Sequence, residues 1–182
     1  LVIFSHGAFG YYQSNTSTYM ELASHGYVVV SLDHPYHSFF TTDTDGNTVI
    51  VNTEFLQEVM YVNEPEVTDE EVLSLSHKWL EIRVSDMNFV VNEIKKSVEE
   101  AALSEVWFTT ETTVRQEVLS VLSMTDIEKI GLMGHSLGGA SSVTVGRTRN
   151  DIDAVIDLDG TMLGEQLGYK DGKHEFYEDA YP

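Results

Sequence analysis

The stretch Lys129-Ile-Gly-Leu-Met-Gly-His-Ser-Leu-Gly-Gly-Ala140 runs from an apolar strand through a G-x-S-x-G turn into the start of a helix. Gly134 and Gly138 lack a Cβ, so the backbone can turn sharply enough to hold Ser136 in a strained conformation with its hydroxyl exposed. The small residues that follow Gly138 keep the first helical turn slim enough to pack against neighbouring strands. The pattern therefore predicts a nucleophile elbow with Ser136 as the nucleophile.

Two other glycine-rich turns join a strand to a helix, and both bind phosphate groups. A Walker loop needs a Lys after its last glycine, and a dinucleotide-binding turn needs the pattern G-x-G-x-x-G. Neither pattern occurs at this position. The remaining alternative to an elbow is an ordinary tight connection.

The size of the chain suits one domain. It has 182 residues, of which 42% are hydrophobic, enough for a buried core. We expect a single domain over residues 1–182, partial because the apolar run 1–4 opens the chain as a strand and no terminal helix closes it. We therefore interpret the chain as a fragment that is truncated at both ends.

Charge narrows the range of partners. Ten basic residues face 30 acidic ones, a net charge of −20, and the first basic side chain is Lys78. A field of this sign repels phosphate backbones, so we expect no nucleic-acid partner and a neutral or cationic small-molecule substrate. No apolar run approaches the ~20 residues of a spanning helix. The absence of cysteine rules out a cysteine nucleophile or thiolate metal site within these residues and leaves the compartment open.

Apolar periodicity predicts a chain that alternates strands and helices. This order is typical of an α/β fold with a doubly wound, mostly parallel sheet flanked by helices. The predicted strands lie at residues 1–4, 27–32, 130–133 and 153–158, and the predicted helices at about 17–24, 68–98, 112–123 and from the elbow to about 147.

The pattern loosens between residues 38 and about 68, which we interpret as an insert that could act as a lid or shape the substrate site. Residues 48–51 form a possible hairpin strand within it. The run Asp43-Thr-Asp-Gly-Asn47 predicts a turn, since the glutamate of a calcium loop is replaced by Asn52 at the required position.

A nucleophilic serine needs a base, a group that orients the base, and donors for the oxyanion. These groups gather at the carboxyl ends of parallel strands. Asp159 ends the strand after the elbow helix, 23 residues beyond Ser136, and is our candidate for the orienting acid. Three other aspartates remain alternatives: Asp157, which lies deeper on the same strand face, Asp33 and Asp153.

The oxyanion donors are expected to be two backbone N–H groups. One belongs to Leu137, directly after the nucleophile, because the elbow aims it into the site. The other is assigned to Ala8, in a His-Gly loop that follows the first strand and matches the corresponding loop of esterases.

The base is the least determined member of the site. Esterases of this kind follow the order serine, acid, histidine, and only His174 follows Asp159. His174 lies in the polar run 172–175, which we interpret as a loop that comes too early. We therefore expect the catalytic histidine beyond Pro182, with His174 as the lesser candidate.

Three other histidines lie near the predicted site. His135 belongs to the elbow, but its side chain should point away from the serine hydroxyl. His34 and His37 could suggest a metal, but the sequence offers no convincing third ligand, and a loop lining the cleft is the better interpretation. We predict that the chemistry needs neither a metal nor a cofactor.

Several of these segments together resemble one branch of the α/β hydrolases, that of the platelet-activating-factor acetylhydrolases and dienelactone-hydrolase-like proteins. The resemblance implies Ser136 as nucleophile, Asp159 as triad acid, and the Ala8 and Leu137 amides as oxyanion donors. Dienelactone hydrolases use a cysteine nucleophile, so the serine favours the esterase side. The segments are Phe4-Ser-His-Gly-Ala-Phe-Gly10, Leu22-Ala-Ser-His-Gly-Tyr-Val-Val29, Gly134-His-Ser-Leu-Gly-Gly139 and Ile156-Asp-Leu-Asp-Gly160.

The leading functional hypothesis is serine-dependent hydrolysis of carboxylic esters through an acyl-enzyme. Short-acyl or phospholipid-type esters, and a role in lipid degradation, are what the resemblance implies. Two alternatives stay open: a catalytically inactive binding module that keeps the elbow as scaffold, and a serine peptidase of the same fold.

Overall fold

The structure is a computed structural model that describes residues 1–43, 45–104 and 112–178. Strands and helices alternate along most of the chain. In chain order the elements are β1 (Val2–Ser5), α1 (Thr16–Ser24), β2 (Val29–Leu32), β3 (Phe40–Thr42), β4 (Thr48–Ile50), α2 (Thr53–Tyr61), α3 (Asp69–Glu100), α4 (Thr112–Leu122), β5 (Gly131–His135), α5 (Leu137–Thr148), β6 (Ala154–Leu158), β7 (Gln166–Lys170) and β8 (Lys173–Phe176).

The main sheet has four parallel strands in the order β2-β1-β5-β6. The chain moves from β1 to one side to form β2 and later returns to the other side of β1 to form β5. In open parallel sheets such a reversal leaves a crevice at the carboxyl ends of the two central strands, and ligands bind there. The carboxyl ends of β1 and β5 lead into the loop containing Ala8 and the turn containing Ser136.

Helices cover both faces of this sheet, as the doubly wound prediction requires. Ile3 and Leu132 point into a core that α3 and α5 close with Met87, Val91 and Val145. Phe4, the next residue along β1, points to the other face and meets the Tyr19 ring of α1 edge-on at 5.0 Å. Alternate residues of one strand thus serve opposite layers.

Helix α3 is the longest element and supplies much of the wall behind the crevice. Thr68 and Glu71 form a reciprocal capping box at its start, as the Thr and the acidic first turn predict. Its buried face includes Trp79, Met87 and Val91 at multiples of four residues. Arg83 completes this series and is fully buried.

Most predicted elements are confirmed to within a few residues, including the hairpin strand that starts at Thr48. Its partner is β3, and the predicted turn between them is present, since Asp43 Oδ1 accepts from the N–H groups of Asp45 and Asn47. Helix α2 was not predicted. Within the described parts of the chain, no helix is long and apolar enough to cross a membrane.

The interpretation of residues 172–175 as a polar loop is wrong. Residues 173–175 belong to β8, which pairs antiparallel with β7 so that Lys170 faces Lys173. Asp171 and Gly172 connect the strands with φ values of 53° and 76°. Two left-handed residues match the twist of a hairpin, and an Asp-Gly pair provides them at low cost. His174 therefore lies on a strand.

Candidate active site

Ser136 occupies a strained turn between β5 and α5. Its backbone has φ 53° and ψ −122°, a conformation that residues with a Cβ rarely adopt. The turn is as tight as its glycines predict, because a Cβ on Gly134 would overlap the carbonyl group of Gly138. Ser136 is partly exposed at the carboxyl end of β5.

The loop after β1 lies directly against this turn. A Cβ on Gly7 would be 2.9 Å from His135 Nδ1 and 3.3 Å from Ser136 Cβ. A Cβ on Gly138 would overlap the carbonyl groups of Ser5 and His6. Glycine at positions 7 and 138 therefore lets the loop after β1 and the serine turn approach to backbone contact.

The predicted oxyanion donors are the backbone N–H groups of Ala8, in the loop after β1, and of Leu137, at the start of α5. The described residues provide no recorded acceptor for the Ala8 N–H. Leu137 is the first residue of α5, and a first helical residue has no intrahelical acceptor for its N–H. The positive end of the α5 dipole adds to the attraction for a negative oxygen here. Two free donors beside a serine can stabilise an oxyanion.

Asp159 lies one residue beyond a direct contact with the serine. The N–H of Ser136 donates to the carbonyl oxygen of Leu158, the last residue of β6, at 2.9 Å. Asp159 then adopts φ 57°, a left-handed conformation that turns the chain away from the sheet. Its side chain is exposed at the carboxyl edge, where a carboxylate could hold an imidazole from another segment.

Asp157, the nearest alternative acid, is enclosed by the backbone. A Cβ on Gly139 or on Gly160 would overlap its carboxyl group. Burial raises the pKa of this carboxyl, a hydrogen bond from the Gly160 N–H opposes the rise, and the charge of Asp159 adds to it. Asp157 thus packs between the start of α5 and the turn after β6.

Beneath the loop after β1, three buried histidines surround the Arg83 guanidinium. His6 and His34 are fully buried and His37 is 4% exposed. Burial, followed by the charge of Arg83, lowers the pKa of His6 and of His37 to about 4 and that of His34 well below its usual range. All three rings are therefore neutral near pH 7.

His34 also links one hydroxyl group and one carboxyl group. Its Nε2 lies 2.8 Å from Ser5 Oγ, and its Nδ1 lies 2.8 Å from Asp86 Oδ2. Burial raises the pKa of Asp86 to about 6, against the influence of Arg83. The order resembles a serine–histidine–aspartate relay, but Ser5 is fully buried and no substrate can reach it. These contacts join β1, the β2 end and α3.

In the loop predicted to line the cleft, Pro35, Tyr36 and His37 border a cavity that also contacts Phe55 and Trp79. The side chains of His34 and His37 are themselves buried and bonded to protein groups. The ring of His37 stacks on Phe55 at 3.9 Å and accepts from Arg83 Nε. Among the residues with described positions, no group of three or more potential ligands could hold a metal ion.

His135 and His174 occupy different places in relation to the serine. His135 ends β5, is exposed and has its Nδ1 near Gly7. The ring of His174 contacts Gln166, Tyr169 and Phe176, all within the β7–β8 hairpin. Across the described residues, no recorded hydrogen bond joins any histidine to Ser136 or Asp159.

An apolar wall borders the serine turn on the side of α2 and α3. The Phe55 ring lies 5.3 Å from Phe9 and 5.5 Å from Trp79, and this cluster packs against Leu137 and Ala140. Sequence reasoning missed the contribution of Phe55 because it missed α2. It also missed Arg83, although a charged residue within an apolar series of spacing four was a visible signal.

The fold and this geometry agree with comparisons to known proteins. The sequence model described as platelet-activating factor acetylhydrolase, isoform II, matches residues 1–170. The chain belongs to this family. This assignment confirms the resemblance on which the predicted roles of Ser136 and Asp159 drew, while those roles remain predictions.

A solved structure supports the architecture. A ferulic acid esterase from Streptomyces cinnamoneus superposes with a TM-score of 0.55 at 24% sequence identity. The match covers 87% of this chain but only 36% of the esterase chain. The family member described here thus has the α/β-hydrolase fold and spans about a third of that related structure.

Proposed function

We propose that this chain carries the nucleophile, orienting acid and oxyanion donors of a serine-dependent carboxylic ester hydrolase. The observation that carries the proposal is the Ser136 turn, where a serine at φ 53° lies against the loop containing Ala8. A strained, accessible serine beside two backbone donors is the arrangement of a nucleophile elbow. The acetylhydrolase family and the esterase of similar fold support the reaction class.

In the proposed reaction, Ser136 Oγ attacks the ester carbonyl carbon while a histidine base takes the hydroxyl proton. The N–H groups of Ala8 and Leu137 bind the oxyanion of the tetrahedral intermediate. Collapse expels the alcohol, which receives the proton from the histidine. A water molecule, activated by the same histidine, then releases the carboxylic acid from the acyl-enzyme.

Asp159 orients this histidine and stabilises its protonated form. We assign the histidine itself to a segment outside residues 1–182, and it follows the acid in the chain. Two observations support this assignment: the seven histidines of the chain make no recorded hydrogen bond to Ser136 or Asp159 within the described residues, and the matched esterase chain is much longer than this one.

The proposed substrates are esters with a short acyl group, including phospholipid-type esters. The family description names an acetylhydrolase. Phe9, Phe55 and Trp79 form an aromatic cluster that packs against Leu137, the residue after the serine, and we assign to this cluster the role of limiting the length of the acyl chain. The net charge of −20 disfavours strongly anionic substrates and suits zwitterionic or neutral ones.

The test is hydrolysis of p-nitrophenyl acetate and longer acyl homologues by the protein expressed from its complete gene. We expect turnover that falls with acyl length and that Ser136→Ala abolishes. Tight ligand binding without turnover would instead favour a binding module. Cleavage of peptides but not of esters would favour a peptidase.

A further inference from the structure

Arg83 is a charged side chain in a fully buried position, and its burial there needs a physical explanation. It lies within the apolar face of α3, and none of its surface is exposed. Burial lowers its pKa only to about 9, so it stays charged near neutral pH. Placing a charge in such an environment is costly unless its donors are satisfied.

The hydrogen bonds of Arg83 converge on the loop after β1. Nη1 donates to the carbonyl oxygen of His6, Nη2 donates to that of Gly7 at 3.3 Å, and Nε donates to His37 Nδ1 at 3.3 Å. The planar guanidinium therefore binds the carbonyl oxygens of two consecutive peptide groups. Lysine lacks the fixed fork geometry that this requires.

The Gly7 carbonyl belongs to the same peptide group as the Ala8 N–H. This peptide is trans, so its C=O and N–H point in opposite directions. The Gly7 oxygen also accepts from His6 Nδ1 at 2.6 Å and from the Gly10 N–H at 3.1 Å. Holding the oxygen on the α3 side consequently directs the Ala8 N–H away from α3.

The same contact strengthens the donor. A charged group at a peptide oxygen draws electron density from the nitrogen and makes the N–H a better donor, as in cooperative hydrogen-bond chains. Neutral His6 adds a second donor to the same oxygen without adding charge, because its pKa is about 4. Arg83 supplies the charge in this group.

We propose that Arg83 is a positioning residue for the oxyanion site, which orients and polarises the Gly7–Ala8 peptide from behind. The inference rests on the proposed function, because it assigns the Ala8 N–H to the substrate oxyanion. Arg83 does not touch substrate; it acts through the peptide group.

Two substitutions at Arg83 separate the effect of its charge from the effect of its fork geometry. Arg83→Lys keeps a charge but loses the fork, and Arg83→Met removes charge and donors. We expect kcat for an acetyl ester to fall about 10-fold and about 100-fold respectively, with KM little changed, since loss of one oxyanion donor costs about 10²–10³ in rate. Arg149→Met is the matched control, because Arg149 also links to α3, through Asn88 at 3.1 Å, but lies away from this loop.

The decisive readout compares each ester with its thionoester, in which sulfur replaces the carbonyl oxygen. Sulfur accepts hydrogen bonds poorly, so an enzyme that relies on oxyanion donors prefers the ester. We expect the ester-to-thionoester ratio of kcat/KM to fall about 10-fold or more in the Arg83 variants and to stay constant in Arg149→Met. Equal losses for both substrates in a folded Arg83→Lys protein would overturn the proposal.

Failure of the proposed function gives a different result. In that case the wild type lacks esterase activity or Ser136→Ala retains it. The polarisation of the Gly7–Ala8 peptide is then measured by NMR spectroscopy of the backbone amides alone. We expect Arg83→Lys to move the Ala8 N–H proton resonance upfield and Arg149→Met to leave it in place. An unchanged Ala8 resonance would contradict the role of Arg83 whether or not the protein turns over esters.

Discussion

The N–H of Ser136 donates to the carbonyl oxygen of Leu158 at 2.9 Å, so the serine turn is bound to the end of β6 one residue before Asp159. This bond continues the parallel pairing of β5 and β6 beyond the His135–Leu158 pair. The position of the proposed acid relative to the nucleophile is thus set by sheet register. A shift of either strand would separate them.

Backbone strain at Ser136 predicts a difference between two inactive variants. Both Ser136→Ala and Ser136→Gly remove the hydroxyl, but only glycine adopts φ 53° and ψ −122° without steric cost. We expect Ser136→Gly to exceed Ser136→Ala in unfolding free energy by about 1 kcal/mol. Urea unfolding of the two proteins measures this difference. Equal stability would mean that the turn relaxes and stores no strain.

The acid assignment predicts separate effects of Asp159, which follows β6, and Asp157, which lies within it. Asp159→Asn should lower kcat by about 10²–10⁴ with little change in KM, because the histidine loses the carboxylate that orients it. Asp157→Asn should mainly alter stability, since Asp157 packs between Gly139 and Gly160. Steady-state kinetics with an acetyl ester distinguishes them. A larger kcat loss in Asp157→Asn would transfer the acid role to Asp157.

The buried histidines predict loss of stability in mild acid. The pKa of His6 and of His37 is lowered to about 4 from 6.5 in the unfolded chain, so the folded state binds fewer protons. Their stabilising contribution is complete above pH 6.5 and is lost as the pH falls toward 4, by about 3 kcal/mol for each histidine. Burial also lowers the pKa of His34, so His34 likewise loses its stabilising contribution as the pH falls.

Asp86 opposes this trend only in part. Its folded pKa of about 6 lies above the usual value of 3.8, so its contribution is favourable below pH 3.8 and is lost as the pH rises through 6. Three histidines outweigh one partly exposed carboxyl. Unfolding free energies at pH 7 and pH 5 should therefore differ by several kcal/mol, with a smaller difference in His37→Phe.

The main sheet and the serine turn follow from short-range signals in the sequence. Continuous apolar runs mark β1 and β5, the Thr68 cap marks the start of α3, and the glycines around Ser136 specify a sharp turn. Each of these signals acts within a few residues of the element it determines. They could therefore be interpreted without knowing which segments meet in space.

The missed features depend on long-range contacts. Helix α2 spans only nine residues, and its one buried residue, Phe55, packs on His37 and Trp79 from distant segments. The position of Arg83 in an apolar series was visible in the sequence, but its partners were not, because they are backbone carbonyl oxygens. The β7–β8 hairpin was missed because Gln166 is the one buried residue within its two strands, so their sequences show no buried apolar face.

The central claim is that Ser136 is the activated nucleophile of an ester hydrolase. The most direct measurement is labelling of the protein from its complete gene with a fluorophosphonate, followed by mass spectrometry of the modified peptide. We predict one adduct on Ser136, which heat denaturation abolishes and which is absent from Ser136→Ala. Folded wild-type protein without a label on Ser136, or with equal labelling in Ser136→Ala, would contradict the claim.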